Sequence, residues 1–339
     1  MICDLRFAIW LKRAALALLL STLNVQISAA FAQGSITPPG PPAATMLTLT
    51  QVEPRTPISS VPVTIANPGS YYLTANLVCT VSNAVTIAAN GVTLDLNGFT
   101  ISSTVPNAAN GGTAILLNSG LSDITICNGH IVSGVTNNGS GLYSGSGFDS
   151  GIFFSLSQPV NVLVSHISVS GCLLYGIVLG NDNSTVAESC TVRTIGGYGI
   201  LASTVKQSLA TDCGSDAIYG DQVSDCQGQT TGSTGIYAYT AQNSYGYNSS
   251  SGAGINVFGC ALNCYGFSNS GDGLVANNAE NCFGYCAAGA DGLYAYGIAN
   301  GCVGVSISGT GVDAFIANVC HGDTSTGTPL TATHNVNSY

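Results

Sequence analysis

Apolar side chains return at a nearly fixed interval through the second half of the chain. The interval is 18 to 23 residues. Short stretches within it, such as Ile236–Tyr239, alternate between aliphatic or small and aromatic side chains, and this period of two predicts strands rather than helices. A fixed interval of this length predicts stacked units, each burying its apolar edge only against its neighbours. The aliphatic positions that define the interval are Ile177, Ile200, Ile218, Ile236, Ile255, Leu274, Leu293 and Val312.

A second column runs in step with the first and is occupied by either cysteine or serine. A position that accepts both residue types needs a small, weakly polar side chain, whereas a disulfide needs specific pairs with suitable geometry. We therefore expect Cys226, Cys282, Cys302 and Cys320 to be reduced and stacked. The column consists of Ser208, Cys226, Ser244, Cys264, Cys282, Cys302 and Cys320, each followed two residues later by Gly or Ala.

One stretch of the chain carries a family resemblance. Residues Asn90 to Ile101 read Asn-Gly-Val-Thr-Leu-Asp-Leu-Asn-Gly-Phe-Thr-Ile. This stretch resembles the opening coil of right-handed parallel β-helix proteins of the pectate-lyase-like superfamily. Units such as Gly273–Ala276 and Asn281–Gly284 resemble the short degenerate repeats of the same group. The resemblance covers residues 60–322 and implies an all-β, right-handed parallel β-helix of roughly a dozen coils. It says little about activity, because this fold hosts lyases, hydrolases, epimerases, adhesins and phage spikes.

The orientation of one strand in each coil stays open at this stage. By analogy with the family, the Cys/Ser column and the small residue after it face inward. Aromatic residues alternate with that column, as Tyr245 and Tyr247 do, and inward aromatic side chains would bury more apolar surface. In the strand Ile236–Tyr239 we expect Ile236 and Ala238 to face inward.

The chain divides into segments of distinct composition. Arg6, Lys12 and Arg13 precede a short apolar run, and Ala30-Phe31-Ala32 supplies a cleavage site, which predicts a signal peptide and a secreted protein. An insertion at Tyr143–Gly147 is expected to project as a loop. The expected segments are a signal peptide (1–32), a Pro-rich linker (33–45), an N-terminal cap (46–75), the parallel β-helix (76–322) and a loose C-terminal tail (323–339).

The charge of the chain excludes several partners. Without the signal, three basic residues (Arg55, Arg193 and Lys206) remain beside 15 acidic residues, a net charge of −12. We expect no nucleic-acid partner and no attraction to anionic membranes, because both require clustered Lys and Arg. No segment after the signal is long enough to form a membrane span.

Candidate catalytic chemistry is sparse. Superfamily lyases use a basic residue and calcium-binding carboxylates, and Arg193 and Lys206 have no acidic cluster at matching offsets. Asp272 and Asp291 lie 19 residues apart and should stack on adjacent coils, but Asp-Gly before a strand is also ordinary turn chemistry. The pairs Cys260/Cys264 and Cys282/Cys286 have no histidine nearby in sequence, so they do not predict a zinc site. The Gly-rich runs lack the following helix and lysine of a nucleotide-binding loop. We expect no catalytic residues, no metal and no cofactor.

Aromatic residues form the strongest candidate site. If the aliphatic residues of each coil face inward, six rings lie on one outer face, where they suit sugar rings or another protein. They could instead only cover the sheet or stack on each other. We predict a secreted, non-catalytic scaffold or adhesin-like protein that binds polysaccharide or a cell-surface glycan. The alternatives are a polysaccharide lyase or glycoside hydrolase, and a self-associating surface fibre component. The candidate binding residues are Tyr219, Tyr237, Tyr239, Phe258, Tyr294 and Tyr296.

Overall fold

The computed structural model describes residues 54–339 as an all-β parallel solenoid of about 15 turns. Twenty-nine strands form one continuous sheet, and one 3-10 turn lies at Ala108–Asn110. The expected signal peptide and Pro-rich linker lie outside the described residues. The strands are β1 (Thr56–Ile58), β2 (Val63–Ile65), β3 (Gly69–Leu73), β4 (Leu77–Cys79), β5 (Val85–Ile87), β6 (Val92–Asp95), β7 (Thr100–Ser103), β8 (Thr113–Leu117), β9 (Ser122–Val132), β10 (Gly134–Asn137), β11 (Tyr143–Ser146), β12 (Ser150–Phe154), β13 (Val160–Cys172), β14 (Tyr175–Gly180), β15 (Thr185–Glu188), β16 (Thr191–Ile195), β17 (Ile200–Lys206), β18 (Leu209–Cys213), β19 (Ile218–Ser224), β20 (Gln227–Thr230), β21 (Ile236–Gln242), β22 (Tyr245–Asn248), β23 (Ile255–Leu262), β24 (Tyr265–Ser268), β25 (Leu274–Glu280), β26 (Phe283–Cys286), β27 (Leu293–Asn300), β28 (Val303–Ser306), β29 (Thr310–Asn318), β30 (His321–Thr324) and β31 (Thr328–Val336).

The turns are more numerous than the dozen expected, because strands at both ends continue the stack. β1 pairs in parallel with β3 at the start, and β31 pairs in parallel with β29 at the end. Residues 54–75 and 323–339, which belong to the segments expected to form a cap and a tail, therefore contribute strands to the solenoid. No helix in residues 54–339 is long and apolar enough to cross a membrane.

Each turn from β17 onward contains one long strand and one short strand. The long strand bends in its middle, where the register between neighbours shifts, for example between Ala238 and Ala241. The bend divides the sheet into three faces. Each face is defined by its residues in one turn together with their register partners in all other turns. Face A contains Ile236–Tyr239, face B contains Ala241–Gln242, and face C contains β22.

The aliphatic column lies in the core, as predicted. Ile236 is the register partner of Ile255, which pairs with Leu274, and Leu274 pairs with Leu293. These side chains and Ala238 are buried. Neighbouring strands are about 4.8 Å apart, so burial of one such side chain per turn builds a continuous apolar column along the axis.

The Cys/Ser column also faces inward, and the alternating aromatic residues face outward. The residue before each member of the Cys/Ser column has a left-handed backbone, such as Asn263 (φ 52) and Asn281 (φ 51). The glycine two residues after the column position has no space for a side chain, because a Cβ at Gly246 would overlap the carbonyl oxygen of Gly254, just before Ile255 on face A. Faces C and A approach each other to backbone contact here, so aromatic side chains cannot lie inside.

Hydrogen bonds explain the exchange of Cys and Ser. The Ser244 Oγ donates to the Gln242 carbonyl (2.7 Å) and accepts from the Cys226 N–H of the preceding turn (3.2 Å). The Cys226 Sγ donates in the same way to the Ser224 carbonyl (3.1 Å). Either residue type closes the corner of a turn and joins it to its neighbour. All twelve cysteines of the described chain carry free thiols in the structure.

The insertion near Tyr143 does not project as a loop. β10 and β11 form an antiparallel hairpin that folds back over later turns. The buried Tyr143 hydroxyl donates to the Asp212 carboxylate (3.0 Å), which also accepts from the Asn137 amide (2.7 Å). The hairpin therefore joins turns that lie about 70 residues apart in sequence.

Candidate functional site

The six predicted aromatic residues all lie on the outer surface of face A. Tyr239, Phe258 and Tyr296 are 63%, 56% and 65% exposed. Tyr219, Tyr237 and Tyr294 are half-buried against neighbouring side chains. Their outward orientation follows from strand alternation, because the adjacent aliphatic and alanine residues fill the core.

Three of these residues belong to a longer stack of rings, which we call the long ladder. Successive ring centroids in it are 4.8–6.4 Å apart, with both stacked and edge-to-face pairs. The ladder consists of Phe153, Tyr175, Tyr198, Tyr219, Tyr237 and Phe258. It crosses six consecutive turns of the solenoid.

Sequence reasoning missed the first half of the long ladder. Tyr175 and Tyr198 each precede the inward aliphatic residue by two positions, whereas Tyr219 and Tyr237 follow it by one. A search for rings at one fixed distance in sequence from the core aliphatic residue cannot find Tyr175 and Tyr198 together with Tyr219. The repeated Tyr-Gly-Ile at Tyr175 and Tyr198 was a usable signal. Tertiary contact brings the two sets together, because Tyr198 reaches Tyr219 at 6.4 Å.

A second group of rings lies further along face A. Tyr294 and Tyr296 meet edge-to-face with centroids 4.7 Å apart, and we call them the Tyr294 pair. A shallow depression crosses the turns of β21 to β27 at the corner before face A. Polar side chains line much of it, including Asn256 and Asp272. Tyr296 of the Tyr294 pair borders this depression.

The carboxylates considered for hydrolysis hold backbone groups. Asp272 Oδ1 accepts from the Asp291 N–H (2.9 Å), and Asp291 Oδ1 accepts from the Thr310 N–H (3.1 Å). Asp216 binds the Thr234 N–H in the same way (2.8 Å). These side chains satisfy turn amides of the next coil, as Asp commonly does before a strand. Burial, with a smaller contribution from the Asp291 carboxylate, raises the pKa of Asp272.

The basic residues of the described chain lie away from face A. Lys206 pairs with Glu188 on face B (3.1 Å). Arg55 contacts Asp95 (3.1 Å) and the Tyr72 ring at the start of the same face. Arg193 is exposed on β16, which belongs to face C. A lyase site would require a Lys or Arg beside Asp272 or Asp291, and none lies there within residues 54–339.

Face C carries a second aromatic surface, built from the residues that alternate with cysteines. Tyr265 stacks between Tyr245 (5.3 Å) and Phe283 (4.7 Å). A parallel column contains Tyr247, Phe267 and Tyr285, with centroids 5.1 and 4.9 Å apart. Six rings on three neighbouring turns therefore form a two-column patch.

The fold and surface define an all-β parallel solenoid with aromatic outer faces. Within residues 54–339, no three His, Cys, Asp or Glu side chains are grouped as metal ligands. Comparison with protein families, curated proteins and solved structures found no match to this chain.

Proposed function

We propose that this chain is a secreted, non-catalytic β-helix scaffold or adhesin-like protein that binds a polysaccharide along face A. The observation that supports this function is the placement of the long ladder and the Tyr294 pair on one sheet face, where Tyr296 borders a polar depression. Assignment to the pectate-lyase-like superfamily belongs to the same proposal and rests on Asn90–Ile101. Export rests on residues 1–32.

The chemistry of face A suits sugar rings. Most rings of the long ladder stack on each other, whereas Tyr239, Phe258 and Tyr296 are exposed and can present apolar surface with little conformational freedom. The polar side chains between them can bind hydroxyl groups. Tyr237 and Tyr294 lie three turns apart, about 14 Å at one strand spacing per turn. This distance suits an extended chain of a few sugar units better than a small molecule.

The binding test compares single aromatic substitutions. Tyr239→Ala and Tyr296→Ala remove exposed rings, so we expect the melting temperature to change little. Retention of the protein in gels containing the best polymer from a glycan array should fall about tenfold or more for either variant. Tyr265→Ala on face C is the matched control and should keep full retention. Unchanged retention in both face A variants would refute the proposal.

A turnover assay separates binding from catalysis. Purified protein should release neither reducing nor unsaturated ends from the polymer it binds, with or without calcium. The reason is that Asp272 and Asp291 hold backbone amides and have no cation beside them. Turnover that disappears in Asp272→Ala would replace the scaffold with an enzyme.

Face C favours a second candidate function, self-association into a surface fibre. Its six rings form an aromatic patch of the kind that marks protein interfaces. Sedimentation at increasing concentration should then show association that is lost in the Tyr265→Ala/Phe283→Ala variant. A monomer at all concentrations would exclude this function.

A further inference from the structure

Charge on face A has one sign. Asp221 lies on the turn of Tyr219, and its carboxylate accepts the Asp182 N–H (2.9 Å). At the other end, Asp313 is the direct register partner of Tyr294, on the turn beyond it. Carboxylates therefore accompany both aromatic groups of the face.

These carboxylates are within electrostatic reach of the rings. Burial is the main cause that raises the pKa of Tyr219, and Asp182 and Asp221 raise it further. Burial also raises the pKa of Tyr294, with additional contributions from Tyr296 and then Asp313. The side chains of Asp221 and Asp313 are partly exposed, so a bound ligand can reach them.

No Lys or Arg within residues 54–339 compensates this charge on face A. Lys206 and Arg55 pair with acidic residues on face B, and Arg193 lies on face C. An anionic polymer laid over the rings would meet only repulsion from the carboxylates. A polymer with ammonium groups would gain ion pairs and contacts between cations and aromatic faces.

We propose that the ligand of face A is an amine-bearing polysaccharide, a polymer of β-linked glucosamine. This proposal rests on the proposed function and specifies its substrate class. The sugar rings lie against the exposed rings of Tyr239, Phe258 and Tyr296, and their ammonium groups pair with Asp182, Asp221 and Asp313. A stiff polymer suits rings fixed on successive turns of a rigid solenoid better than a flexible basic peptide does.

The test uses titration calorimetry with three oligosaccharides of equal length at mildly acidic pH. They are the glucosamine hexamer, its fully N-acetylated counterpart and a galacturonate hexamer. We expect the glucosamine hexamer to bind at least tenfold more tightly than the acetylated form, and the galacturonate hexamer not to bind. Added salt should weaken the binding of the glucosamine hexamer, because exposed ion pairs are screened.

Substitution of the carboxylates tests whether the preference for ammonium groups arises on face A. The Asp221→Asn/Asp313→Asn variant keeps side-chain size and one acceptor oxygen at each position, and should lose about threefold to tenfold in affinity for the glucosamine hexamer at low salt. Asp323→Asn removes one charge of the same sign from face C and should change nothing. Tyr296→Ala should weaken the binding of the glucosamine hexamer without removing its salt dependence.

The outcomes distinguish the preference for glucosamine from the broader proposal that face A binds a polysaccharide. Equal binding of both glucosamine forms, lost in Tyr296→Ala, would refute the amine preference and leave polysaccharide binding intact. Equal loss of affinity in Asp323→Asn and in Asp221→Asn/Asp313→Asn would show that binding depends only on the net charge of the protein. That result would refute the assignment of the ion pairs to face A. Poly-lysine binding as tightly as the hexamer, with no dependence on Tyr296, would also refute it.

Discussion

Val319 occupies a backbone conformation that valine disfavours, which allows a sharp test of how the turns are built. Its φ is 53°, at the corner that precedes the Cys/Ser column. Other turns place Asn243, Asn263, Asn281 or Gly301 at this corner. Asn and Gly adopt left-handed conformations readily, whereas a β-branched residue there is an outlier.

The left-handed backbone at Val319 costs folding free energy, and an asparagine there would cost less. A left-handed residue with a Cβ costs about 1–2 kcal/mol, and Asn recovers part of this through local hydrogen bonds. Val319 is 60% exposed, so its replacement loses little apolar burial. We expect Val319→Asn to stabilise the corner by about 1 kcal/mol, which is about a fivefold change in a local opening equilibrium.

Hydrogen exchange is the appropriate assay, since a long stack of turns need not unfold in one step. The Val319 N–H donates to the Val336 carbonyl (2.9 Å), and the His321 N–H donates to the Cys302 carbonyl (2.9 Å). Exchange of both amides should slow about fivefold in Val319→Asn. Val319→Thr keeps the branched Cβ and should exchange like the parent chain. Faster exchange in Val319→Asn, or equal slowing in Val319→Thr, would show that the corner is not strained by branching.

Three further predictions follow from buried polar contacts. Ser244→Ala removes the acceptor of the buried Cys226 N–H and should destabilise the turns around β20 and β22 by about 1–3 kcal/mol, seen as faster hydrogen exchange there, whereas Ser244→Cys keeps both contacts and should cost much less; equal losses would contradict the hydrogen-bond explanation. Burial raises the pKa of Cys190 and Cys226 to about 11 from an ordinary value of about 9. The folded state holds these protons more tightly, so stability is full below pH 9 and should fall as pH rises from about 9 to 11; a melting temperature constant across that window would contradict this. Tyr143→Phe removes the hydroxyl that donates to Asp212 and should weaken hairpin docking by about 1 kcal/mol, seen as faster limited proteolysis at residues 138–142; an unchanged cleavage rate would show that ring burial alone holds the hairpin.

The sequence alone determined the repeat, the strand register and the aliphatic core. A period near 19 residues places Ile236, Ile255 and Leu274 at equal offsets, and parallel pairing stacks equal offsets one strand spacing apart. Alternation within one strand then identifies Tyr239 and Tyr296 as outward residues. These properties depend on local pattern, which neighbouring turns repeat and reinforce.

Only the tertiary structure decided which side of face C points inward. The pattern of Cys264, Tyr265 and Gly266 alternates equally well in both orientations. The decision depends on how closely face A approaches from the other side of the turn, and a Cβ at Gly266 would overlap the Gly273 carbonyl oxygen. The long ladder and the docked hairpin depend on contacts of the same kind. Such distances arise from the closed path of a whole turn, so no single strand encodes them.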